Sequence, residues 1–458
     1  MNVSTRLPRL ALVAASVAVL AMLVVDGVRS DLLAQIPWGR VREIAIVCAL
    51  ATAFTLLLVW RRRLSPAWAC AGIFAVVQIL IVGVAPLAAV ALLVAGAVAL
   101  GSALVPKEAV GRFGLSLLCG LAAITATIGW LVPFKLHFAP FYAFVLSCLV
   151  LWRRRELRVM AGEVTAAWRP GSGGWVAFVA VLVIGFMSLT SWVPTTSSDD
   201  IGYHLGLPWD LATWHRLRMD VDTQVWSLSA WAGDIVQAIA QLLAGREARA
   251  AVNLLWLVLA MHLLHRVARN AGVSERGSWW VVALAASQPM TLSIGLTMQV
   301  ELPSTAVLLA MILVAQGQPA NARVRHAVMF AVLAGFALAL KVSNVIWIGL
   351  VSLWYLARAW PMPWRAWLPA VVVAALVGGS SYFYAALLTG NPVLPLFNEF
   401  FRSPDYSLEP IANPLYVGKL SWDLLLRMVT ETGNYQESYN GTAGFQLWLL
   451  LPAWLLAL

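Results

Sequence analysis

Apolar runs of spanning or near-spanning length alternate with short polar connections along the whole chain. A helix needs about 20 mostly apolar residues to cross the hydrocarbon core of a bilayer. The pattern therefore predicts an all-α polytopic membrane protein with about 13–14 transmembrane helices. The runs occupy residues 10–28, 44–60, 66–84, 86–105, 114–133, 137–152, 174–193, 249–265, 279–295, 303–316, 327–340, 344–359, 366–388 and 444–458.

The composition agrees with this pattern. Of 458 residues, 61% are hydrophobic and 11% are charged, whereas soluble domains contain roughly 45–50% apolar and about 25% charged residues. The composition excludes a soluble globular protein, and the number of runs excludes a single anchor on a soluble domain.

The basic residues indicate how the chain is oriented. If the N-terminus is inside, every alternate connection is basic, and 19 of the 31 Lys and Arg residues lie on the inner side, as expected when basic loops resist translocation. The net charge of +10 is thus explained by orientation, and no nucleic-acid partner is predicted. All but four acidic residues fall on the outer side or at its rim, so we expect the chemistry to face outward.

Two predicted outer segments, 194–247 and 389–442, are much longer than the other connections. The first contains two amphipathic pieces, 203–217 and 229–243, in which Trp, Leu and Ile alternate with charged residues. Neither piece is apolar enough to span, so we expect helices that lie in the membrane interface.

The first outer segment opens with the densest polar cluster of the chain, Ser197 to His204. Its neighbouring carboxylates, Asp199 and Asp200, repel each other, and beside a bilayer they are costly unless they bind a cation or accept a proton. A general base or a ligand of a divalent cation, Mg²⁺ or Mn²⁺, is one interpretation. A solvated loop with an aspartate helix cap is the other.

This cluster resembles a known family. Asp199 and Asp200, followed by Tyr203, His204 and Pro208, resemble the motif in the first periplasmic loop of the GT-C glycosyltransferase superfamily, in its protein mannosyltransferase-like (family 39-like) bacterial branch. Further stretches match in the same order along the chain: Val300-Glu301-Leu302-Pro303, the Gly-rich span Gly335 to Asn344 with Lys341, and Thr389-Gly390-Asn391-Pro392.

The resemblance covers residues 174–458, which implies a GT-C-like catalytic membrane module preceded by a six-span region, 1–173, of unknown role. It implies transfer of a sugar from a polyprenyl-phosphate donor to a glycan, lipid or protein acceptor at the outer face. The acceptor hydroxyl must lose its proton, and a carboxylate at the bilayer surface can take it. We assign this role to Asp199, with Asp200 as its orienting partner or a cation ligand and Glu301 as a second acidic group.

Cations are expected near the departing phosphate. Lys341 ends a span among apolar residues, an expensive position unless it pairs with a phosphate or an acid; snorkelling to the interface is the alternative. Arg216 and Arg218 could bind the phosphate or lipid headgroups. The predicted substrate contacts are completed by Tyr203, His204 and Asn391.

A transporter or flippase of lipid-linked saccharides is the competing interpretation. Such proteins place charged or broken-helix sites near the bilayer midplane and are built from paired halves. The predicted spans of this chain are nearly free of charge, and no internal repeat is evident, so the sequence favours the transferase.

Overall fold

The chain is described by a computed structural model that covers residues 38–446 except 63, 168–173, 196, 318–322, 360–363, 405, 410–420, 422, 437–438 and 445, with five isolated residues before 38. The first and last predicted spans, 10–28 and 444–458, lie almost wholly outside the described residues.

Nineteen α-helices, numbered here in chain order, make up most of the described chain. The first ten are α1 Trp38–Arg62, α2 Pro66–Ile81, α3 Val84–Gly101, α4 Arg112–Leu131, α5 Ala139–Trp152, α6 Arg154–Ala167, α7 Gly174–Ser188, α8 Gly206–Trp214, α9 Ala232–Ala244 and α10 Arg249–Asn270. The remainder are α11 Glu275–Ala286, α12 Pro289–Gly295, α13 Glu301–Gln316, α14 Arg323–Leu340, α15 Val345–Ala359, α16 Trp364–Gly378, α17 Ser380–Thr389, α18 Asn398–Phe401 and α19 Leu424–Thr430.

The predicted fold class is confirmed at the level of an all-α membrane protein. The described residues contain no strand. Five helical segments are long and apolar enough to cross a membrane, or six if one bent pair is a single span. Six shorter apolar helices accompany them. The full number of 13–14 transmembrane helices remains a prediction.

Two predicted spans are broken. The run 366–388 is divided into α16 and α17, which meet at an angle of 67°. The run 279–295 is divided into α11 and α12, and Pro289 begins the second helix, because proline lacks an amide hydrogen and suits the first turn of a helix. The apolar pattern alone does not reveal either break.

The second predicted interfacial helix is instead internal. Residues 232–240 of α9 are all buried, and the helix packs against α3, α4, α5 and α8. Its small and branched apolar residues surround most of the helix axis, so it can be covered by protein on every side. Within the first piece, α8 does expose aromatic side chains, with Trp209 63% exposed.

The helices on either side of residue 173 share one hydrophobic core. The helix α2 packs on α7, α3 and α4 pack on α9, and α4 packs on α14. The first helices therefore form part of the wall that surrounds the outer-segment residues of interest.

A close glycine contact brings α14 and α16 together at Gly335, six residues before Lys341 in the sequence. A Cβ atom added to Gly335 would lie 2.5 Å from the carbonyl oxygen of Ala374, and one added to Gly378 would lie 2.8 Å from the carbonyl oxygen of Gly335. Only glycine permits this approach of two backbones. The Gly-rich character of the span that ends at Lys341 thus has a packing role.

Candidate functional site

The predicted cluster forms a π-helical turn, Asp200–His204. The amide of Leu205 donates to the carbonyl oxygen of Asp200 over 2.9 Å, which closes a wider turn than an α-helix has. Such turns are frequent at functional sites. Asp200 and His204 are buried, whereas Asp199 and Tyr203 are half-buried.

Asp199 precedes this turn and its carboxylate is free of protein partners within the described chain. It occupies the helix-capping position, but its side chain makes no capping hydrogen bond. The capping alternative for this residue is therefore not realised in the structure. A half-buried carboxylate without a partner can accept a proton from a bound hydroxyl.

Asp200 anchors the turn. It is fully buried, and its carboxylate accepts a hydrogen bond from the Thr195 hydroxyl. The Met298 amide donates to both carboxylate oxygens, over 2.9 Å to Oδ1 and 2.8 Å to Oδ2. Burial raises the pKa of Asp200, against the lowering effect of these hydrogen bonds and of the charges on His204 and Arg249. Its geometry is that of a structural link to the segment before α13.

The Mg²⁺ or Mn²⁺ site at the two aspartates stays a prediction. Both Asp200 oxygens are hydrogen-bonded to protein and the residue is fully buried, so Asp199 is the one of the two whose carboxylate is free; Mg²⁺ can be held by one carboxylate together with substrate phosphates. Among the residues that the structure describes, no three His, Cys, Asp or Glu side chains are grouped as metal ligands.

Buried polar side chains of α10 hold the turn 295–298, which leads into α13. Arg249 donates to the carbonyl oxygen of Leu296 over 2.6 Å and to that of Val193. Asn253 donates to the carbonyl oxygens of Gly295 and Thr297, over 3.0 and 2.7 Å. Because Asp200 binds the amide of the next residue along the chain, this turn is fixed from two sides.

Glu301 begins α13 immediately after that turn and pairs with Lys341. The Lys341 ammonium donates to Glu301 Oε1 over 2.7 Å, and the two side chains are 47% and 27% exposed. The other carboxylate oxygen, Oε2, is buried and has no hydrogen-bond partner among the residues that the structure describes. The prediction that Lys341 pairs with a phosphate or an acid thus finds an acid in this structure.

His204 forms a buried pair with a residue that the sequence did not single out for the site. Its Nδ1 lies 2.8 Å from Oδ1 of Asp234 on α9, and both side chains are 6% exposed. Burial opposes protonation of His204, but the charge and hydrogen bond of Asp234 and the charges of Asp200 and Asp199 together raise the pKa of this histidine.

Tyr203 lies within electrostatic reach of all these acids. Burial and then the charges of Asp199, Asp234, Glu301 and Asp200 raise the pKa of its hydroxyl. The structure thus brings the predicted acidic residues Asp199, Asp200 and Glu301 together around one tyrosine, although they come from two segments about 100 residues apart in the sequence.

Two cavities flank the turn. One, of about 160 Å³, is lined by Tyr203, Trp209, Trp226, Trp231, Asp234 and other residues of the first outer segment. The other, of about 340 Å³, is lined by residues of the segments 193–198 and 293–299, among them Ser197 and Ser198. In the sequence, Asp199 therefore lies between Ser198, which lines the larger cavity, and Gly202, which lines the smaller one.

The predicted arginines differ in their surroundings. Arg218 is held by Asp210, with its backbone amide and Nε donating over 3.0 and 3.1 Å, and it lies over the Trp214 ring. Arg216 is exposed. Neither is brought to Glu301 or Lys341 by any contact among the described residues, so their predicted role in phosphate binding rests on the sequence alone.

Asn391 is fully buried, and its amide group closes its own loop. Its Nδ2 donates to the carbonyl oxygen of Leu396 and its Oδ1 accepts from the Val393 amide, each over 2.9 Å. Asn391 thus shapes its own loop, whereas the sequence predicted that it contacts substrate. The same outer segment reaches the first one through Tyr406, whose hydroxyl donates to the carbonyl oxygen of Val221 over 3.0 Å.

The sequence analysis missed Asp234, Arg249 and Asn253. Each has a sequence signal, since each is a polar residue within or at the start of an otherwise apolar helix, where an unpaired polar group is expensive. What the sequence does not show is the partner that each of them meets.

No protein-family model, curated protein or solved structure matches this chain.

Proposed function

We propose that this chain is an integral membrane glycosyltransferase that transfers a sugar from a polyprenyl-phosphate donor to an acceptor at the outer face. The motif resemblance suggests the reaction class. The observation that carries the proposal is the position of Asp199: a half-buried carboxylate without a protein partner, within a cluster that also contains Tyr203, Glu301 and Lys341.

In this proposal Asp199 takes the proton of the acceptor hydroxyl as that oxygen attacks the anomeric carbon. The bond between this carbon and the phosphate oxygen breaks, and polyprenyl phosphate leaves. General-base assistance of this kind contributes about 10²–10⁴-fold to a rate. Asp200 acts indirectly, because its bonds to Thr195 and Met298 fix the turn that carries Asp199.

Lys341 is the proposed phosphate contact. It is 47% exposed and already faces one acid, so its ammonium can exchange part of its pairing with Glu301 for a phosphate oxygen. The buried Oε2 of Glu301, which lacks a partner, is a second acceptor for a hydroxyl or ammonium proton. The pair thereby offers both charge signs, and the charge of Glu301 is felt at Tyr203.

A transporter or flippase of lipid-linked saccharides is favoured by one observation, the 67° bend between α16 and α17. Broken helices form the substrate sites of many transporters. The residues at this bend, Gly378 to Tyr382, are uncharged, whereas the clustered acids lie at the outer connections. We therefore place the transferase first.

The experiment is reconstitution of the purified chain into liposomes that contain labelled polyprenyl-phosphate sugar. A transferase releases polyprenyl phosphate and moves the label to an added acceptor; a flippase moves the intact labelled lipid between leaflets. Transbilayer movement without cleavage of the donor would contradict the proposal.

A further inference from the structure

The smaller cavity beside the π-helical turn has an unusual lining. Tyr203 and Trp226 stack with their ring centres 6.0 Å apart and their planes at 30°, and Trp209 and Trp231 add further aromatic surface. Trp231 is fixed by a hydrogen bond of 3.1 Å from its indole nitrogen to the Ser380 hydroxyl. These rings form a largely rigid aromatic wall.

A buried carboxylate reaches the same cavity. Asp234 is 5% exposed and lines the cavity, and only its Oδ1 is engaged, by His204. Oδ2 accepts no hydrogen bond from any described residue. Oδ2 is not among the fully buried side-chain oxygens that lack a partner, so it keeps accessible surface and can accept a hydrogen bond from a hydroxyl group of a ligand.

The charges around the cavity disfavour an anionic ligand. Among the described residues that line the cavity, Arg218 is the only cation, and it is paired with Asp210. Asp234 is paired with His204, and Asp220 adds a negative charge that has no ion-pair partner among the described residues. A phosphate group would meet net repulsion here. A neutral molecule with apolar faces and hydroxyl edges matches aromatic walls combined with carboxylate acceptors, since small-molecule sites are mostly apolar with a few convergent polar groups.

We infer that this cavity binds a pyranose ring, whose C–H face packs on Trp226 and whose hydroxyl donates to Asp234 Oδ2. The inference rests on the proposed function and deepens it, because it assigns a place to one of the two sugars of the reaction. The phosphate end of the donor would lie outside this cavity, toward Lys341. The ring could belong to the donor or to the acceptor, and the experiment separates these sources.

The test measures binding of methyl pyranosides of glucose, mannose, galactose and N-acetylglucosamine to the purified full-length chain by saturation-transfer NMR. We expect at least one glycoside to bind, and Trp226→Ala and Asp234→Asn each to weaken it about tenfold or more, the effect of about 1.4 kcal/mol. Trp280→Ala, which removes a 47% exposed indole on α11, is the matched control and should bind as wild type does.

Asp234→Asn could perturb folding through the loss of its partner His204, so Trp226→Phe provides a second variant. Phenylalanine keeps an aromatic face, and we expect it to retain more binding than alanine does. Binding that persists in Trp226→Ala and Asp234→Asn, or the failure of all four glycosides to bind to the wild type, overturns the inference.

A soluble short-chain prenyl-phosphoryl sugar distinguishes the two sources. If the cavity holds the donor sugar, this analogue displaces the bound glycoside, and prenyl phosphate without sugar does not. If the cavity holds the acceptor, glycoside and analogue bind together. Glycoside binding is measured without any transfer, whereas Asp199→Asn tests the transferase proposal through the transfer rate, so failure of the one is distinguishable from failure of the other.

Discussion

At the scale of single residues, the contact between Lys341 and Glu301 connects the C-terminal end of α14 to the start of α13, at the predicted outer side. Both side chains remain partly exposed to solvent. Ion pairs of this kind stabilise a protein by about 0–1 kcal/mol. The conformational stability of the chain therefore does not explain a lysine at this apolar helix end, and the proposed binding of a substrate phosphate would explain it.

We predict that Lys341→Met raises the KM for a polyprenyl-phosphate sugar about 10- to 100-fold and leaves the midpoint of thermal unfolding nearly unchanged. The range corresponds to about 1.5–3 kcal/mol for a hydrogen bond to a charged group. Lys135→Met is the matched control, because Lys135 is an exposed lysine in a neighbouring outer connection. Steady-state kinetics with both variants check the prediction, and equal KM values for the two would contradict it.

His204 gives the protein a pH-dependent stability. The charge and hydrogen bond of Asp234, with the charges of Asp200 and Asp199, outweigh the opposing effect of burial and raise the pKa of His204 above its unfolded value of about 6.5. A histidine with a raised folded pKa contributes stability that is fully present below the unfolded pKa and is lost as the pH rises through the folded pKa.

We therefore predict that the unfolding midpoint of the detergent-solubilised chain falls as the pH is raised above about 6.5, and that His204→Gln lacks this component. His215→Gln is the control, because His215 contacts the carbonyl oxygen of His137 and not a carboxylate. Differential scanning fluorimetry between pH 5 and pH 9 measures both. The same pH profile in wild type and His204→Gln would exclude this role.

At the scale of elements, α10 positions α13 through the turn between α12 and α13. Arg249 is 3% exposed and binds two carbonyl oxygens and Glu247. The position of Glu301 thus depends on a residue that need not touch substrate.

We predict that Arg249→Met lowers both the unfolding midpoint and the transfer rate. Leaving a buried carbonyl group unsatisfied costs about 1–3 kcal/mol, and a freed turn displaces Glu301. Arg246→Met, at an exposed arginine three residues earlier, should change neither quantity. If the two variants unfold at the same temperature, the turn does not depend on Arg249.

The apolar pattern predicted helix positions well where one helix fills one run. The run 114–133 corresponds to Arg112–Leu131, and the run 249–265 is contained in Arg249–Asn270. The pattern failed at α9, for which it predicted a helix in the membrane interface. The apolar side chains that would contact lipid there can equally be buried by protein, and in the structure residues 232–240 are buried. The pattern also failed at the bend after Gly378, because a helix that changes direction can stay equally apolar on both sides of the bend.

The site was predictable in part. Asp199, Tyr203 and Glu301 were identified from the motif, and the structure brings them within electrostatic reach of one another. The anchoring role of Asp200 was not predictable, because its partner Met298 is 98 residues away along the chain. Asp234 was overlooked for the same reason: its significance depends on tertiary contact with His204.

At the scale of the whole molecule, the account requires the cluster around Tyr203 to face the outer side. The connections predicted to be on the inner side carry basic residues that bind helix ends, for example Arg325, which donates to the carbonyl oxygens of Leu104 and Ala103. Arg112 and Glu156 also pair on this side. The orientation itself is inferred from the distribution of charges.

We predict that, in a chain whose native cysteines are replaced, Thr223→Cys reacts with a membrane-impermeant maleimide in cells whose outer membrane alone is opened. Arg155→Cys should react only after the inner membrane is permeabilised. Both positions are exposed, so access to each is decided by the membrane. The reverse pattern of labelling would place the cluster on the cytoplasmic side and exclude a periplasmic reaction.

The central claim, that Asp199 is the base of a sugar transfer, is tested most directly by the transfer rate of Asp199→Asn in liposomes with labelled polyprenyl-phosphate sugar. Asp222→Asn is the control, because Asp222 is an exposed carboxylate of the same outer segment. We predict that Asp199→Asn folds as wild type does but loses about 10²–10⁴-fold in rate, whereas Asp222→Asn keeps the wild-type rate. A wild-type rate in Asp199→Asn would contradict the account.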